Sequence, residues 1–460
     1  MLNWRKPLIY TAFILSGYPV FRYLKYLKSI EYKSPEELQE LQNQKLQHLL
    51  KHAYENVPYY HKVLSETAVL KNGKVVLENF HRIPPLTKQI LREQGDNLLS
   101  KDHQTRGSYR NTSGGSTGEP VAFIQDKDYK AWGMAYRFLY NQWAGKEVGQ
   151  PEIKLWGSER DVLEKAEKLS TRIRRWGFHL FIMNSFMMDD INMSRYVKEW
   201  NRFKPQIVWA YMNSICELAR FIKRNKVKVF KPASIISTAE TLTENVRTLV
   251  EEVFECPLLN QYGSREIGIG GCECTKKEGI HIFPLHNKIE ILNEDMSSCK
   301  PGQAGKVLVT TLNNFSMPLI RYDIGDMAIP ARNEQCSCGR SFPLIKNVVG
   351  RHVEAFRTRD GRTIPGEFFI HFVGVVYNKD FVKRFQVIQK DYDLVVVRIV
   401  ISDKEKFDEY KPELIKSIKK VMGADCKVEF EYVDDIQAAK SGKYLYTLCE
   451  IPEEKNLSCE

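Results

Sequence analysis

Apolar positions at helical spacing dominate the first hundred residues. Ser34 is followed by Pro35 and two glutamates, which is a helix N-terminal signal because a hydroxyl caps the first amides and carboxylates complement the helix dipole. Leucines then recur at helical spacing before Val57–Tyr60 interrupts the pattern. Residues 79–95 have the composition of a loop that enters another helix. The region therefore predicts a helical opening.

The central part of the chain alternates between helical stretches and short apolar runs. The helical stretches include 127–144, 189–203 and 212–226, and the apolar runs include Ile207–Tyr211 and Ser234–Ser237. Helices that alternate with short buried strands predict an α/β sheet. Two more apolar runs, Lys306–Leu312 and Leu319–Tyr322, predict a β-hairpin.

After Gly350 the pattern changes to strand, strand, helix and strand. The predicted strands are Arg384–Gln389, Leu394–Ile401 and Lys427–Tyr432, and the predicted helix is 405–421. This order is typical of a small α+β domain. We therefore predict the α/β class, with a large domain at 1–349 that contains mixed sheets and a β-hairpin subdomain, and a small α+β domain at 350–460.

Composition and charge narrow the class of protein. A chain of 460 residues is too long for one ordinary core, and its apolar content of 43% is that of a globular protein. The formal net charge is +11, but the positive side chains are dispersed. Dispersal argues against a dedicated nucleic-acid surface and favours an enzyme that handles polyanions, or one that lies near an anionic membrane or polysaccharide.

Cysteine usage and the N-terminal segment bear on location. The ten cysteines are scattered and no export signal is evident, so we expect a reduced, cytoplasmic protein, with the inner face of the membrane as the alternative. Residues 7–20 are apolar, but Gly17 and Pro19 interrupt them and the run is short for spanning. We expect a helix that packs on the protein body, and keep a peripheral membrane contact as the alternative.

The stretch Tyr109–Val121 combines three glycines with short hydroxyl side chains. Glycine lets the backbone approach a ligand closely, and hydroxyl and backbone N–H donors can surround phosphate oxygens. The stretch is not the common phosphate-binding P-loop, because no Lys and Ser/Thr pair follows the last glycine. A flexible surface turn is the alternative interpretation.

Four polar clusters follow this loop. They are Asn260–Glu266 (NQYGSRE), Arg321–Asp326 (RYDIGD), Gly350-Arg351 and Lys440–Lys443. Tyr262 can stack on a flat base, Glu266 can hold Mg²⁺ against phosphates, and Asp326 can accept from ribose hydroxyls. Each cluster alone could equally be a turn or a set of solvated charges.

In this order and spacing, the loop and these clusters resemble the adenylate-forming superfamily, whose members activate a carboxylic acid as its acyl-AMP. The chain is most similar to the branch of the phenylacetate–CoA ligases and the capsular-polysaccharide CapK proteins, which also carries the helical opening and the Ile83–Lys88 step (IPPLTK). The resemblance covers nearly the whole chain from about residue 35. It implies an ATP-dependent, AMP-forming ligase that uses Mg²⁺.

The resemblance also implies roles for individual residues. The ATP phosphates would be held by Thr112, Ser113, Gly114, Gly115, Ser116, Thr117 and Gly118. The adenine pocket would be lined by Ser237, Ala239, Glu240, Asn260, Gln261, Tyr262 and Gly263. Glu266 would position Mg²⁺, Asp326 the ribose, and Arg351 the same sugar or a phosphate. Lys443 would move in from the small domain to stabilise the charge that develops at the α-phosphate.

Two positions depart from the superfamily pattern. Val121 stands where a lysine often follows the proline of the loop, and Glu119 adds a negative charge beside it. Glu354 stands where the hinge residue is often aspartate. Neither departure removes phosphate binding, but both leave the rates and the domain rotation open.

Cysteine and histidine spacing predicts a metal site. Cys274 precedes His281, and Cys336 and Cys338 lie in a later polar turn. A Cys₃His set is a normal structural zinc site, and similar positions occur in the phenylacetate–CoA ligase branch. Cys272 would be a spectator. Buried reduced thiols are the alternative.

The substrate and the acceptor are the least determined features. Trp156, Tyr211 and Asn213 are candidates for the acid pocket, although such residues are also ordinary core residues. A thiol acceptor would make the protein a CoA ligase, and an amine acceptor, such as an amino sugar of a surface polysaccharide, would make it an amide ligase. A homodimer is a further expectation. The alternative class is a zinc-containing nucleic-acid-binding protein, although no known reader motif is present.

Overall fold

The computed structural model describes residues 3–112, 121–157, 169–238, 242–332, 335–349, 356–364, 366–371, 373, 382–436 and 446–451. The α-helices in these ranges are α1 (Arg5–Leu15), α2 (Val20–Ile30), α3 (Pro35–Asn56), α4 (Pro58–Glu66), α5 (Lys88–Gln94), α6 (Lys127–Trp143), α7 (Leu169–Gly177), α8 (Asp190–Phe203), α9 (Met212–Asn225), α10 (Glu244–Phe254), α11 (Gly366–His371) and α12 (Lys404–Met422). Short 3-10 helices lie at Leu77–Arg82, Gly95–Leu98 and His103–Arg106.

The strands of the same ranges are β1 (Leu70–Lys71), β2 (Lys74–Val75), β3 (Tyr109–Thr112), β4 (Ala122–Gln125), β5 (Glu152–Trp156), β6 (Leu180–Asn184), β7 (Ile207–Tyr211), β8 (Ser234–Thr238), β9 (Leu258–Ser264), β10 (Gly268–Glu273), β11 (Ile280–Ile282), β12 (Asn287–Leu292), β13 (Gly305–Thr311), β14 (Tyr322–Pro330), β15 (Leu344–Val349), β16 (Phe356–Arg357), β17 (Thr363–Ile364), β18 (Val382–Asp391), β19 (Leu394–Ile401), β20 (Lys427–Tyr432) and β21 (Thr447–Cys449).

The predicted helical opening is confirmed, and its boundaries follow from the sequence signals. The Ser34 hydroxyl accepts from the Glu37 amide at 3.2 Å, and the Glu37 carboxylate accepts from the Ser34 amide at 3.0 Å. This reciprocal capping box satisfies two amides that the first turn of α3 leaves unpaired. Helix α3 ends at Asn56, with Val57 as its C-cap, because Pro58 has no N–H to continue it and instead begins α4.

Eleven strands of the described chain form one mixed sheet, in the order β12-β13-β14-β15-β11-β10-β9-β8-β7-β5-β6. In this spatial order, adjacent strands are parallel in the half between β6 and β9 and antiparallel in the half between β9 and β12. Parallel neighbours need crossover connections, which α7 to α10 supply. The predicted α/β class is confirmed.

Helices cover both faces of the parallel half of the sheet. Ile207 and Trp209 of β7 pack in a core cluster with α1, α2 and α6. Val208 and Ala210 of the same strand pack on the opposite face with α8, α9 and α10. Successive strand side chains point to opposite faces, so a strand covered on both faces is apolar throughout. This is why β7 is visible in the sequence as an apolar run.

The antiparallel half corrects one prediction. The run Lys306–Leu312 corresponds to β13, but Leu319–Tyr322 is wrong as a strand, since only Tyr322 belongs to β14. Leu319 and Ile320 are buried in a loop, and apolar runs report burial rather than strand geometry. Arg321 anchors that loop, because its guanidinium donates to the carbonyl oxygens of His81 and Ile83 and pairs with Glu290.

The C-terminal part forms its own four-stranded sheet, in the order β20-β19-β18-β21. Helix α12 packs on this sheet, as the predicted strand, strand, helix and strand order implies. Phe186, in the loop after β6, packs edge-to-face on Phe368 of α11 at 5.2 Å and connects this part to the large sheet. The boundary at residues 349 and 350 stays a prediction, because 350–355 lie outside the described residues.

The apolar N-terminal segment packs on the protein body, as expected. It forms α1, a turn at Gly17 with φ of +66°, and the start of α2. Ile9, Phe13 and Val20 are buried in the cluster that covers one face of the sheet. No helix in the described part of the chain is both long enough and apolar enough to cross a bilayer.

Candidate functional site

The predicted adenine-pocket residues meet at the carboxyl ends of the parallel strands. Tyr211 at the end of β7 pairs in register with Thr238, and Ser237 pairs with Asn260 of β9. The Thr238 hydroxyl donates to Gln261 Oε1 at 2.6 Å and fixes that side chain. In open α/β sheets, ligands bind outside the carboxyl ends of the strands, so this edge is the candidate nucleotide site.

A tyrosine–carboxylate hydrogen bond joins two motifs that are distant in sequence. The Tyr262 hydroxyl donates to Asp326 Oδ2 at 3.0 Å. Asp326 follows Gly325, which has a φ of +80°. At this point of β14 its register with β13 shifts, between Lys306 and Leu308 of β13. Bulges re-aim side chains and are common beside active sites. The shift presents the Asp326 carboxylate next to β9, where it remains partly exposed.

Glu266 lies in the turn between β9 and β10, against the open end of the β3–β4 hairpin, and the glycine-rich loop joins the other ends of these two strands. Gln125 is the last residue of β4, the strand that leaves that loop, and its Nε2 donates to the carbonyl oxygens of Arg265 at 3.0 Å and Glu266 at 3.2 Å. Strands β3 and β4 pair antiparallel, with Thr112 opposite Ala122. The two strands that carry the loop are therefore fixed to the turn that carries Glu266.

Close backbone packing explains the glycine of the YGSRE motif. A Cβ on Gly263 would lie 2.3 Å from the carbonyl oxygen of Gly268, which is far below any real contact distance. Only glycine fits where β9 and β10 approach each other this closely.

The structure places the following predicted nucleotide-site residues on β8, on β9 and the turn after it, or in contact with β9: Ser237, Asn260, Gln261, Tyr262, Gly263, Glu266 and Asp326. Thr112 is the last residue of β3, the strand that leads into the glycine-rich loop. The remaining ones lie outside the described residues, namely Ser113, Gly114, Gly115, Ser116, Thr117, Gly118, Ala239, Glu240, Arg351 and Lys443, together with Glu119 and Glu354. Their roles stay predictions.

A cavity of about 730 Å³ opens beside this strand edge. Trp156 and Tyr211, two of the three predicted acid-pocket residues, line it with their rings 4.3 Å apart in a stacked arrangement. Asn213 is the second residue of α9 and is not part of the lining.

The charged residues of this cavity were not predicted from the sequence. Glu152 is paired with Arg137 at 2.5 Å and with Lys146 at 2.9 Å. Burial raises the pKa of Glu152, but the nearby Lys146 and Arg137 cations outweigh it and hold that pKa at about 2. The two charged residues in Glu152–Trp156 (EIKLW) were the available signal, since charges on a buried strand need partners.

The four predicted metal ligands lie together. The ligand atoms of Cys274, His281, Cys336 and Cys338 are all within 4.8 Å of one another. Cys274 Sγ lies 3.6 Å from Cys336 Sγ, and Cys338 Sγ lies 3.6 Å from His281 Nε2. A disulfide requires about 2.05 Å between sulfurs, so these are separate thiols. Cys272, the register partner of His281, is buried in the core cluster that contains Tyr140 and is not part of the group of four.

The cluster sits where several elements meet. His281 of β11 pairs with Leu344 of β15, and the two later cysteines lie in the turn before β15. Beside them, Arg340 pairs with Glu31 at 2.9 Å, and Glu31 also accepts from Trp143 Nε1 at 2.8 Å. The cluster therefore lies where the antiparallel strands meet α2 and α6.

Both a family model and curated relatives match this chain. The family model for the CapK C-terminal domain matches residues 356–450. Protein CapK of Staphylococcus aureus is 26% identical over 425 residues, covering 90% of this chain and 90% of its own. A phenylacetate-coenzyme A ligase of Thermus thermophilus is 27% identical over 337 residues, covering 71% of this chain and 73% of its own.

The fold matches solved ligase structures as well. A crystal structure of 2-hydroxyisobutyryl-CoA ligase with 2-HIB-AMP and CoA in the thioesterification state superposes with a TM-score of 0.58. It is 18% identical and covers 92% of this chain and 91% of that chain. A post-adenylation structure of the same ligase gives a TM-score of 0.57.

Residues 356–450 therefore match the CapK C-terminal domain family, and over most of its length the chain is similar in sequence to CapK and the phenylacetate-coenzyme A ligases. Its fold is that of the solved CoA ligases, so the resemblance that the motifs predicted is confirmed.

Proposed function

We propose that the protein activates a carboxylic acid with ATP and then transfers the acyl group to an amine or to CoA. In the first step, a carboxylate oxygen attacks the α-phosphorus, and the bond to pyrophosphate breaks. In the second step, the nitrogen or sulfur nucleophile attacks the acyl carbon, loses its proton, and releases AMP. Carboxylate and triphosphate are both anionic, so the first step needs donors and cations around the α-phosphoryl group.

The observation that carries this proposal is the convergence at the strand edge. Tyr262, hydrogen-bonded to Asp326, lies beside the turn of Glu266, and that turn is fixed to the base of the glycine-rich hairpin. Tyr262 supplies a flat surface for a base, and Asp326 supplies acceptors for ribose hydroxyls. A nucleotide at this edge would direct its phosphates toward the hairpin.

The donor set also fits a magnesium ion, which adenylate-forming ligases use with ATP. Glu266 is 4% exposed, and within the described ranges its carboxylate forms no ion pair. Buried charged groups are usually paired or coordinate metals, and a carboxylate oxygen is a ligand that a hard cation such as Mg²⁺ prefers. Mg²⁺ held there would neutralise charge on the ATP phosphates, while Lys443 would provide the second cation.

For the acceptor of the acyl group we propose two alternatives. An amino sugar in surface polysaccharide synthesis is one candidate, suggested by the similarity to CapK. An aryl- or acyl-CoA synthetase is the alternative, suggested by the phenylacetate-coenzyme A ligase relatives. Both use the same acyl-AMP intermediate.

We also propose that Cys274, His281, Cys336 and Cys338 hold a structural zinc ion. Ligands at Zn–S of about 2.3 Å and Zn–N of about 2.0–2.1 Å in a tetrahedron lie roughly 3.5–3.8 Å apart. The two separations of 3.6 Å agree with that geometry. Four protein ligands leave no open position, so the ion would stabilise the fold rather than act on substrate.

An exposed surface on α1 and α7 supports the proposed peripheral membrane contact. Leu8, Leu15, Leu169 and Ile173 are 53%, 82%, 69% and 58% exposed, respectively. The two helices meet where Trp4 lies 5.6 Å from Trp176, with Arg5 over both rings. We define these apolar residues and the neighbouring arginines as the α1–α7 surface. Exposed apolar side chains among cations are typical of binding to an anionic lipid surface.

ATP–pyrophosphate exchange with a panel of carboxylic acids tests the activity. Acid-dependent exchange is expected with at least one acid, and the acyl-AMP can then be followed with CoA or an amino sugar to identify the acceptor. Exchange with none of the acids, together with salt-sensitive binding to nucleic acid, would instead support the nucleic-acid-binding alternative.

A further inference from the structure

The cavity beside the nucleotide site carries more positive charge than its own residues neutralise. Arg137, Lys146, Lys154 and Arg174 line it, and Glu152 faces them. Glu152 is already paired with Arg137 and Lys146. Within the ranges that the structure describes, Lys154 and Arg174 make no ion pair. Among the described residues, Glu152 is thus the one carboxylate of the lining, and it is in contact with two of these four cations and not with Lys154 or Arg174.

Lys154 is the most constrained of these cations. It lies in β5 between the fully buried Ile153 and Leu155, and its Nζ is 5.5 Å from the centre of the Trp156 ring. Burial, reinforced by the nearby Arg137 cation, lowers the pKa of Lys154 to about 7. The charged form is thus costly in this position, and an anionic ligand group would stabilise it.

The cavity has a reacting end and a cationic end. Trp156, Tyr211 and Arg265 lie at the carboxyl ends of the strands, beside the nucleotide site. Lys154 is two residues earlier on β5 and on the same strand face as Trp156, which places it about 6–7 Å away along the strand. The stacked rings of Trp156 and Tyr211 form a flat wall at the reacting end.

We propose that the acid substrate carries a second anionic group, a carboxylate or a phosphate, which binds Lys154 and Arg174 while its reacting carboxylate lies at the Trp156 and Tyr211 end. This inference rests on the proposed acid activation and names the substrate class of that site. The two anionic groups are separated by a ring or short chain of about 6–7 Å. A charge-assisted contact of this kind discriminates by roughly 10- to 100-fold against an acid that lacks it.

Matched acids test the proposal by direct binding, without ATP. The probes are adipate against hexanoate, and 4-carboxyphenylacetate against phenylacetate, measured by calorimetry with the full chain. The wild-type protein should bind each dianion at least tenfold more tightly than its partner. Lys154→Met should remove most of this preference, and Arg174→Met should reduce it. Lys198→Met, on the exposed side of α8, is the matched control and should retain it.

The outcomes separate this inference from the proposed activity. Equal or weaker binding of both dianions, or an undiminished preference in both Lys154→Met and Arg174→Met, overturns the assignment of the cavity. ATP–pyrophosphate exchange measured with the same four acids reports on the activity. A dianion preference in binding without any exchange would support the cavity assignment and refute the activation chemistry. Exchange with the monoanions alone would support the activation chemistry and refute the cavity assignment.

Discussion

Replacing Asp326 with asparagine distinguishes two hydrogen bonds of one carboxylate, the one to Tyr262 and the one proposed to a ribose hydroxyl. One oxygen accepts from the Tyr262 hydroxyl at 3.0 Å. In the proposed nucleotide complex, the carboxylate would also accept from a ribose hydroxyl. Asparagine keeps one oxygen, which can still accept from Tyr262, but its NH₂ group cannot accept from the sugar. The fold should therefore survive while the nucleotide contact is lost.

The expected size follows from the charge and exposure of this group. A hydrogen bond to a charged partner contributes about 1.5–3 kcal/mol. Asp326 is partly exposed, so we expect the lower half of this range, which corresponds to roughly a 10- to 40-fold increase in the KM for ATP. The melting temperature should change little, because the bond to Tyr262 is retained.

ATP–pyrophosphate exchange with ATP and with 3′-deoxy-ATP measures this effect. The wild-type enzyme should discriminate against the deoxy analogue, and Asp326→Asn should lose that discrimination while its KM for ATP rises. A chemically matched control is Asp128→Asn, because Asp128 also accepts from a tyrosine hydroxyl, that of Tyr23, on the α2 and α6 side of the molecule. That variant should keep both values near those of the wild type.

Two results would refute the reasoning. The first is an Asp326→Asn variant whose KM for ATP stays within threefold of the wild type. The second is a rise in KM without any change in discrimination against 3′-deoxy-ATP, which would show that the carboxylate acts elsewhere than at the ribose.

Three further predictions concern other parts of the molecule. Cys336→Ser should lose stoichiometric zinc, as measured by elemental analysis, and should have a lower melting temperature. Cys216→Ser, at a buried cysteine outside the cluster, should keep the metal. Full zinc occupancy in Cys336→Ser would contradict the site. Lys443→Ala should slow acyl-AMP formation at least tenfold, yet leave acyl transfer from synthetic acyl-AMP nearly intact; equal slowing of both steps would contradict its assigned role. The double variant Leu15→Asp and Ile173→Asp should no longer co-sediment with phosphatidylglycerol vesicles, while its pyrophosphate exchange is unchanged. Equal binding of the wild-type protein to phosphatidylcholine vesicles would contradict an anionic lipid contact.

The local elements were largely predictable because they depend on neighbours in the chain. Ser34, Pro35 and Glu37 specify where α3 begins, and the apolar run Ile207–Tyr211 has the same bounds as β7. The run Leu319–Tyr322 shows the limit of this approach. A buried loop and a buried strand have the same apolar composition, and Arg321 decides between them through contacts with His81 and Ile83.

The sequence by itself determined the class of the protein, because the motifs keep their residues and order whatever lies between them. It also determined the four candidate metal ligands, since cysteine and histidine are few and their chemistry is specific. Only the tertiary structure placed Tyr262 against Asp326 and gathered Lys154 and Arg174 around one cavity. Those contacts depend on the strand order, on the register shift in β14 and on the crossing of helices, which no local pattern encodes.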